Sequence, residues 1–255
     1  MKIFKRLLCA SVIFAACSAP AMVPVKIKPL QDKTVVLVHG AFADGSSWAK
    51  VIPLLQAAGL KVVAAQNPLT SLADDVAVVN RLIDNQTEPV VLVGHSWGGQ
   101  VISEAGNNAK VASLVYVAAF APSEGQSPAD LSKDYPVAPG FLNLVPDTFG
   151  FLTLNRDGME KDFAQDLSAE ETGVMFATQG PTAARCFTDT ITTAAWKTKP
   201  SWYIVADSDR MIQPDQQAAM AAKIGATTSH LPASHVPMLS KPAEVAAVIM
   251  AAAGM

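Results

Sequence analysis

Short apolar runs alternate with amphipathic stretches along most of the chain. Strands are predicted at residues 34–38, 61–65, 89–93, 111–118, 201–206 and 227–231. Helices are predicted between them, at residues 46–58, 72–83, 100–107, 214–224 and 242–253. The runs at 34–38 and 89–93 are apolar at nearly every position, which is typical of parallel strands that are covered on both faces. Right-handed crossovers between such strands give a doubly wound, mostly parallel α/β sheet.

The alternation breaks between residues 121 and 196, a stretch that is rich in proline and phenylalanine. Insertions of this length in compact domains are usually functional. We therefore expect a lid over a site, inserted between two strands of the sheet. The alternative is a set of helices that pack on the sheet and gate nothing.

The start of the chain has the layout of a secretory signal. A basic start precedes an apolar run at residues 7–17, and a small-residue cleavage site ends at Ala21. We expect residues 1–21 to be a signal peptide and residues 22–255 to form one α/β domain. A less favoured route is lipidation at Cys17, which would leave a lipid anchor; a buried N-terminal helix is a third option. Both processing routes place the mature protein outside the cytoplasm, in the periplasm or secreted.

The composition of the chain argues against some classes of partner. The chain has 255 residues, of which 50% are hydrophobic and 16% charged, and its formal net charge is −3. It contains no run of Lys and Arg interleaved with aromatics, so nucleic-acid binding has no support. If cleavage follows Ala21, Cys186 is the one cysteine left; a small buried side chain is the preferred interpretation over a reactive thiol. The sequence leaves the oligomeric state open between monomer and homodimer.

A candidate nucleophile lies directly after the strand at 89–93. The segment Gly94-His95-Ser96-Trp97-Gly98 has the form G-x-S-x-G and is followed by a predicted helix. In this context the serine sits on a sharp turn between strand and helix, and small residues flank it because a β-carbon there would clash. The alternative is a helix N-cap serine in a Gly-rich turn. We expect Ser96 to be the nucleophile.

Acyl transfer also needs two hydrogen-bond donors aimed at the developing oxyanion. One is expected to be the backbone N–H of Trp97, the residue after the nucleophile. The other should come from the loop after the strand at 34–38, where Ala41 is the first choice and Phe42 the second. His39 in the same loop is expected to orient the loop rather than act as a base.

The general base and its acid are expected in the last third of the chain. His235 lies in a loop after the strand at 227–231, at the sheet edge where Ser96 emerges, whereas His230 lies inside that strand and is expected to be structural. Asp209 follows the strand at 201–206 and is favoured as the acid, with Asp207 as the alternative. Asp189 is a distant third candidate.

These segments resemble the α/β-hydrolase superfamily over about residues 33–252. In detail they look like the branch that contains plant methyl esterases, hydroxynitrile lyases and small bacterial carboxylesterases. The resemblance implies a lid between the sixth and seventh strands of that fold, a Ser96–His235–Asp209 triad, and no cofactor or metal.

The branch contains two chemistries. Its hydroxynitrile lyases carry a threonine after the oxyanion-loop histidine and a lysine after the catalytic histidine, and the lysine stabilises departing cyanide. This chain has Gly40 and Val236 at those positions, which favours an esterase. The mostly apolar composition of the expected lid suggests small apolar or aryl esters as substrates. The alternatives are a lyase or another non-hydrolytic reaction, a lactonase or amidase, and a small-molecule receptor of the same fold.

Overall fold

Residues 33–255 are described by a computed structural model. The predicted signal peptide, the proposed cleavage at Ala21 and the alternative lipidation site Cys17 lie outside the described residues. Within the part of the chain that the structure describes, no helix is long and apolar enough to cross a membrane.

Nine strands form two sheets in this described part. In chain order they are β1 (Thr34–Val38), β2 (Lys61–Ala64), β3 (Val90–His95), β4 (Val111–Val117), β5 (Leu144–Pro146), β6 (Phe151–Leu154), β7 (Thr182–Ala183), β8 (Ser201–Ala206) and β9 (Thr227–Leu231). The main sheet has the order β2-β1-β3-β4-β8-β9, and every neighbouring pair in it is parallel. This confirms the predicted doubly wound, parallel α/β fold.

The α-helices cover this sheet. They are α1 (Ile52–Ala57), α2 (Leu72–Asp84), α3 (Trp97–Ala105), α4 (Pro128–Ser132), α5 (Arg156–Gly158), α6 (Ala169–Thr178), α7 (Pro214–Lys223), α8 (Pro237–Ser240) and α9 (Pro242–Ala252). The chain steps from β1 to β2 in one direction and from β2 across to β3 in the other. Right-handed crossovers then place α1 and α9 together on one face and α2 and α3 together on the other. The reversal lies between β1 and β3, and ligands of such sheets bind at this point, at the carboxyl ends of the strands.

The predicted helix at 46–58 is two shorter elements. A 3-10 turn spans Gly45–Trp48, and α1 begins only at Ile52. Pro53 explains the division, because proline has no N–H to donate and is tolerated in the first turn of a helix but not in its interior.

The insertion at 121–196 has its own small architecture. It contains α4, α5, α6 and the antiparallel sheet β5-β6-β7. It is joined to the carboxyl edge of the main sheet by polar contacts, among them Asp162 to Arg210 at 2.6 Å and Asp166 to the N–H of Ser234 at 2.8 Å. The insertion therefore lies over the edge where the candidate site is found, and its gating role stays a prediction.

Candidate active site

Ser96 occupies a strained turn between β3 and α3. Its backbone has φ 53° and ψ −119°, a conformation that L-residues other than glycine rarely adopt. Ser96 is the N-cap residue of α3. Its side chain is held close to the surface of the site and the residue is 7% exposed. Strain of this kind persists only where the surroundings enforce it, and it is concentrated at functional sites.

Glycines enforce the turn by allowing close backbone contacts. A β-carbon on Gly98 would lie 2.6 Å from the carbonyl oxygen of Val38, and one on Gly94 would lie 2.5 Å from that of Gly98. A β-carbon on Gly40 would lie 2.7 Å from the Cβ of Ser96. The loop after β1 is therefore packed directly against the serine.

Asp209 and His235 form a buried pair at the same edge. Nδ1 of His235 lies 2.7 Å from Oδ2 of Asp209, and the two side chains are 1% and 0% exposed. Asp209 also accepts hydrogen bonds from the N–H groups of Met211 and Ile212 and from the amide of Gln217. With all its oxygens occupied by donors, Asp209 orients the imidazole with Nδ1 protonated and Nε2 left as the acceptor.

His95, the residue before Ser96, contacts His235. The ring of His95 lies 4.7 Å from that of His235, centroid to centroid, and its Nε2 lies 2.8 Å from the carbonyl oxygen of His235. Among the described residues, no hydrogen bond joins the Ser96 hydroxyl to the His235 ring itself. Such bonds are often long before substrate binds.

The other carboxylate candidates lie elsewhere. Asp207 pairs with His230 at 2.8 Å, and both side chains are largely exposed, at 44% and 54%. Asp189 accepts from the N–H of Leu72 and from Arg185. Neither contacts His235, so the structure places Asp209, the favoured acid, on the candidate base.

His39 holds the loop after β1. Its Nε2 must accept, because its partner is the backbone N–H of Asn67 at 3.0 Å, so the proton sits on Nδ1 and is donated to the carbonyl of Gly40 at 2.8 Å. Burial lowers the pKa of His39, and burial next to His235 holds the pKa of His95 well below its usual range. Both rings are therefore neutral supports at neutral pH.

The candidate oxyanion donors differ in their occupancy. The N–H of Phe42 donates to the Thr182 hydroxyl at 3.2 Å. Among the described residues, no protein acceptor takes the N–H of Ala41 or of Trp97. Ala41 and Trp97 are thus the donors left for a ligand, and Phe42 is tied to the insertion.

Aromatic rings from the insertion cover this edge. The ring of Phe163 lies edge-on to His235 at 5.0 Å. Phe187 stacks on Phe42 at 6.1 Å and meets Phe141 at 5.9 Å. The sequence shows these phenylalanines but not their placement, because their contacts join segments that are far apart in the chain.

Asp75 in α2 is buried, which its position in the first turn of a helix does not indicate. Asp74 and Asp75 both stand in the first turn of α2, where the helix dipole favours negative charge. Asp74 serves that end, accepting from Ser71. Asp75 is instead fully buried, and its position in the stripe of buried residues on α2 is the signal that could have found it; the stripe is Leu72, Asp75, Val79 and Ile83.

The described part of the chain contains neither a candidate metal site nor a disulfide bond. No cluster of three or more His, Cys, Asp or Glu side chains there could hold a metal ion. Cys186 is buried without a disulfide partner, and burial raises the pKa of its thiol to about 12. A thiol in this environment is inert as a nucleophile, which agrees with its interpretation as a small core side chain.

Comparison with known proteins gives the family of this chain. Residues 35–248 match the model of the Alpha/beta hydrolase family, so the chain belongs to that family. The chain is similar to "Probable hydrolase R7" of Phoma sp., with 26% identity over 87% of this chain and 98% of that protein.

Plant proteins and solved structures are also similar. Salicylic acid-binding protein 2 of Nicotiana tabacum is 34% identical over 41% of this chain and 46% of its own length. The alpha-hydroxynitrile lyase of Arabidopsis thaliana is 30% identical over 42% of this chain and 47% of its own length. The crystal structure of polyneuridine aldehyde esterase superposes with a TM-score of 0.75 at 22% identity, over 86% of this chain and 98% of that one. The predicted superfamily is confirmed, members of the predicted branch are among the similar proteins, and these relatives support hydrolase activity.

Proposed function

We propose that this protein is a serine hydrolase that cleaves small carboxylic esters through an acyl-enzyme on Ser96. The observation that carries the proposal is the buried His235–Asp209 pair, which lies at the same sheet edge as the strained turn of Ser96. A base held in one tautomer by a carboxylate and next to a nucleophile is the arrangement that acyl transfer requires.

The mechanism follows from the hydrogen bonds. Because Nδ1 of His235 donates to Asp209, its Nε2 takes the proton of Ser96 as the hydroxyl oxygen attacks the ester carbonyl. The unoccupied N–H groups of Ala41 and Trp97 receive the oxyanion. His235 then returns the proton to the leaving alcohol. Water repeats the two steps on the acyl-enzyme and releases the acid.

The surroundings favour apolar substrates. Phe42, Phe141, Phe163 and Phe187 supply aromatic surface near the candidate nucleophile. A cavity of about 350 Å³ lies beyond Phe42, between the loop after β1 and α6, and Val174, Met175 and Leu239 are among its lining residues. Small apolar or aryl esters match the aromatic surface. Charged side chains, among them Lys50, Glu170 and Glu171, also line the cavity.

The test is a panel of p-nitrophenyl acetate, p-nitrophenyl butyrate and methyl esters against the wild type and Ser96→Ala. We expect turnover of the acetate or butyrate that falls by several orders of magnitude in the variant. A fluorophosphonate probe should label the wild type at Ser96. Ser208→Ala, which alters an exposed serine one residue from Asp209, is the matched control and should keep both labelling and turnover.

Outcomes that contradict the proposal are distinct. Unchanged turnover in Ser96→Ala would exclude Ser96 as the nucleophile. Cyanide release from mandelonitrile without ester turnover would indicate a lyase. Tight binding of small molecules with neither labelling nor turnover would indicate a receptor.

We also propose that the protein is exported, on the basis of the signal-like residues 1–21. N-terminal sequencing of the protein recovered from an exported fraction should begin at residue 22. An N-terminus at Met1 in the cytoplasmic fraction would contradict this.

A further inference from the structure

Asp75 is a buried carboxylate that the proposed mechanism does not use. It lies on α2, and its residue exposure is 0%. Burying a carboxylate is costly unless hydrogen bonds compensate for lost water, so its partners show what the side chain is for. Both of its oxygens have partners, and the partners lie on two different functional segments.

The first partner is the residue that follows the candidate nucleophile. Oδ2 of Asp75 accepts a hydrogen bond of 2.7 Å from the indole Nε1–H of Trp97. Trp97 is the first residue of α3, is 1% exposed, and supplies one of the two backbone N–H groups left for the oxyanion. A buried indole that is fixed at its far end also fixes the backbone to which it is attached.

The second partner leads to the insertion. Oδ1 of Asp75 accepts from the N–H of Leu69 at 2.9 Å, and Leu69 has the unfavourable φ of 57°. The carbonyl of Leu69 in turn accepts from the N–H of Ala183 at 2.8 Å. The neighbouring Thr182 binds the N–H of Phe42 in the oxyanion loop. One carboxylate thus joins the turn at Ser96 to the strand β7 of the insertion.

We propose that Asp75 is a positioning residue for the oxyanion hole, holding the backbone N–H of Trp97 in place through the indole and coupling it to the insertion through Leu69. The inference rests on the proposed esterase function. It assigns Asp75 no contact with substrate and no proton transfer.

The electrostatic environment makes the role measurable. The pKa of Asp75 is raised to about 6. Burial is the main cause and the charge of Asp74 adds to it, while the hydrogen bonds from Trp97 and Leu69 oppose the increase. From the insertion, the thiol of Cys186 faces this group and is neutral, with Arg185 and Asp189 close to that thiol. Asp75 is therefore ionised at pH 7.5 and protonated at pH 5.

The first measurement is the indole N–H signal of Trp97 in ¹⁵N-edited NMR of the full chain. The protein has four tryptophans, and Trp97→Phe assigns the signal by removing it. We expect the Trp97 signal to shift with an apparent pKa of about 6 in the wild type and to lose that titration in Asp75→Asn. Asp74→Asn, one residue away and without a hydrogen bond to Trp97 or Leu69, is the matched control. It should keep the titration, at a slightly lower pKa because the charge of Asp74 is removed.

The second measurement is steady-state hydrolysis of p-nitrophenyl butyrate. An oxyanion donor acts only in the transition state, so its displacement lowers kcat and leaves KM nearly unchanged. We expect kcat at pH 7.5 to fall by about 10- to 100-fold in Asp75→Asn and in Trp97→Phe, part of the roughly 100- to 1,000-fold loss seen when such a donor is removed. The double variant should lose no more than the worse single variant, and Asp74→Asn should match the wild type.

The results separate this inference from the function on which it rests. The positioning role alone is overturned if the wild type is active and Asp75→Asn keeps the same kcat, whether or not its KM is raised. A wild type that turns over no ester overturns the proposed function and this role with it. If Asp75→Asn does not fold, Trp97→Phe decides, because it removes the donor and leaves Asp75 and Leu69 in place: a kcat equal to the wild type's overturns the inference.

Discussion

Asparagine at position 209 should disable the candidate base without altering the shape of the site. The carboxylate of Asp209 receives four donors, two backbone N–H groups on Oδ1 and the side chains of Gln217 and His235 on Oδ2. An asparagine amide must turn its NH₂ group toward one of these pairs. If it faces His235, Nδ1 becomes the acceptor, and the proton moves to Nε2, where it blocks proton transfer from Ser96.

The magnitude follows from this change of tautomer. Loss of the orienting carboxylate in a triad lowers kcat by about 10⁴, which corresponds to about 5.5 kcal/mol at 1.36 kcal/mol per tenfold. A buried donor left without a partner also costs roughly 1–3 kcal/mol of stability. Hydrolysis of p-nitrophenyl butyrate measures the first effect, and urea unfolding measures the second.

Asp207→Asn is the matched control because it makes the same chemical change two residues away. Asp207 pairs with His230 on the surface, and exposed pairs contribute little to stability. We expect its kcat to stay within about twofold of the wild type's, because Asp207 pairs with His230 and not with the candidate base, and its loss of stability to be at most about 1 kcal/mol. A kcat for Asp209→Asn within tenfold of the wild type's, or an equal loss in Asp207→Asn, would refute the reasoning.

Three further predictions concern the backbone and the buried carboxylate. Ser96→Gly should have a higher urea midpoint than Ser96→Ala, and a free energy of unfolding larger by roughly 1 kcal/mol, because glycine relieves the strain at φ 53°. The greater freedom of glycine in the unfolded chain offsets only part of that gain. Equal midpoints would show that the turn is unstrained. Gly98→Ala should lower the free energy of unfolding by about 1–3 kcal/mol, because the added carbon overpacks against the Val38 carbonyl. Gly173→Ala in α6, where the added carbon meets nothing within 4 Å, should raise it by about 0.5–1 kcal/mol. The opposite order in thermal melts would contradict the close packing at Gly98. Because the pKa of Asp75 is about 6 in the folded protein and 3.8 for a freely solvated aspartate, as in the unfolded chain, the folded protein keeps a proton between pH 4 and pH 6 that the unfolded chain has lost. As the pH rises from 4 to 6, the free energy of unfolding should therefore fall by about 2 kcal/mol relative to Asp75→Asn. Parallel pH curves for the two proteins in urea titrations would exclude the raised pKa.

Local patterns predicted the sheet well because its strands are buried on both faces. The bounds of β1, β8 and β9 match the predicted runs, and those of β2, β3 and β4 differ by one or two residues. The helices were placed less closely at their ends. The helix after Ser96 begins at Trp97 rather than at residue 100, because the glycines that made its start look like a loop are there for close packing.

The candidate site divides in the same way. Ser96, Asp209 and His235 follow strands of one parallel sheet, and parallel strands end at one edge, so their order along the chain predicts that they lie at that edge. The structure puts Asp209 on His235 and places Asp207 on His230 instead. The catalytic roles of these residues remain predictions until the variants are measured.

By itself, the sequence determined the elements that short-range physics controls. The alternation of apolar runs and helical faces set the sheet, and the glycines around Ser96 set the turn. The tertiary structure decided which donor of the oxyanion loop is free, since the N–H of Phe42 is taken by Thr182, 140 residues further along the chain. It also turned Asp75 inward to Trp97 while its neighbour Asp74 faces the helix end. Two adjacent aspartates look alike in a sequence. Only the packing of α2 against α3 buries one of them, Asp75, so that its carboxylate is hydrogen-bonded to the Trp97 indole instead of to water.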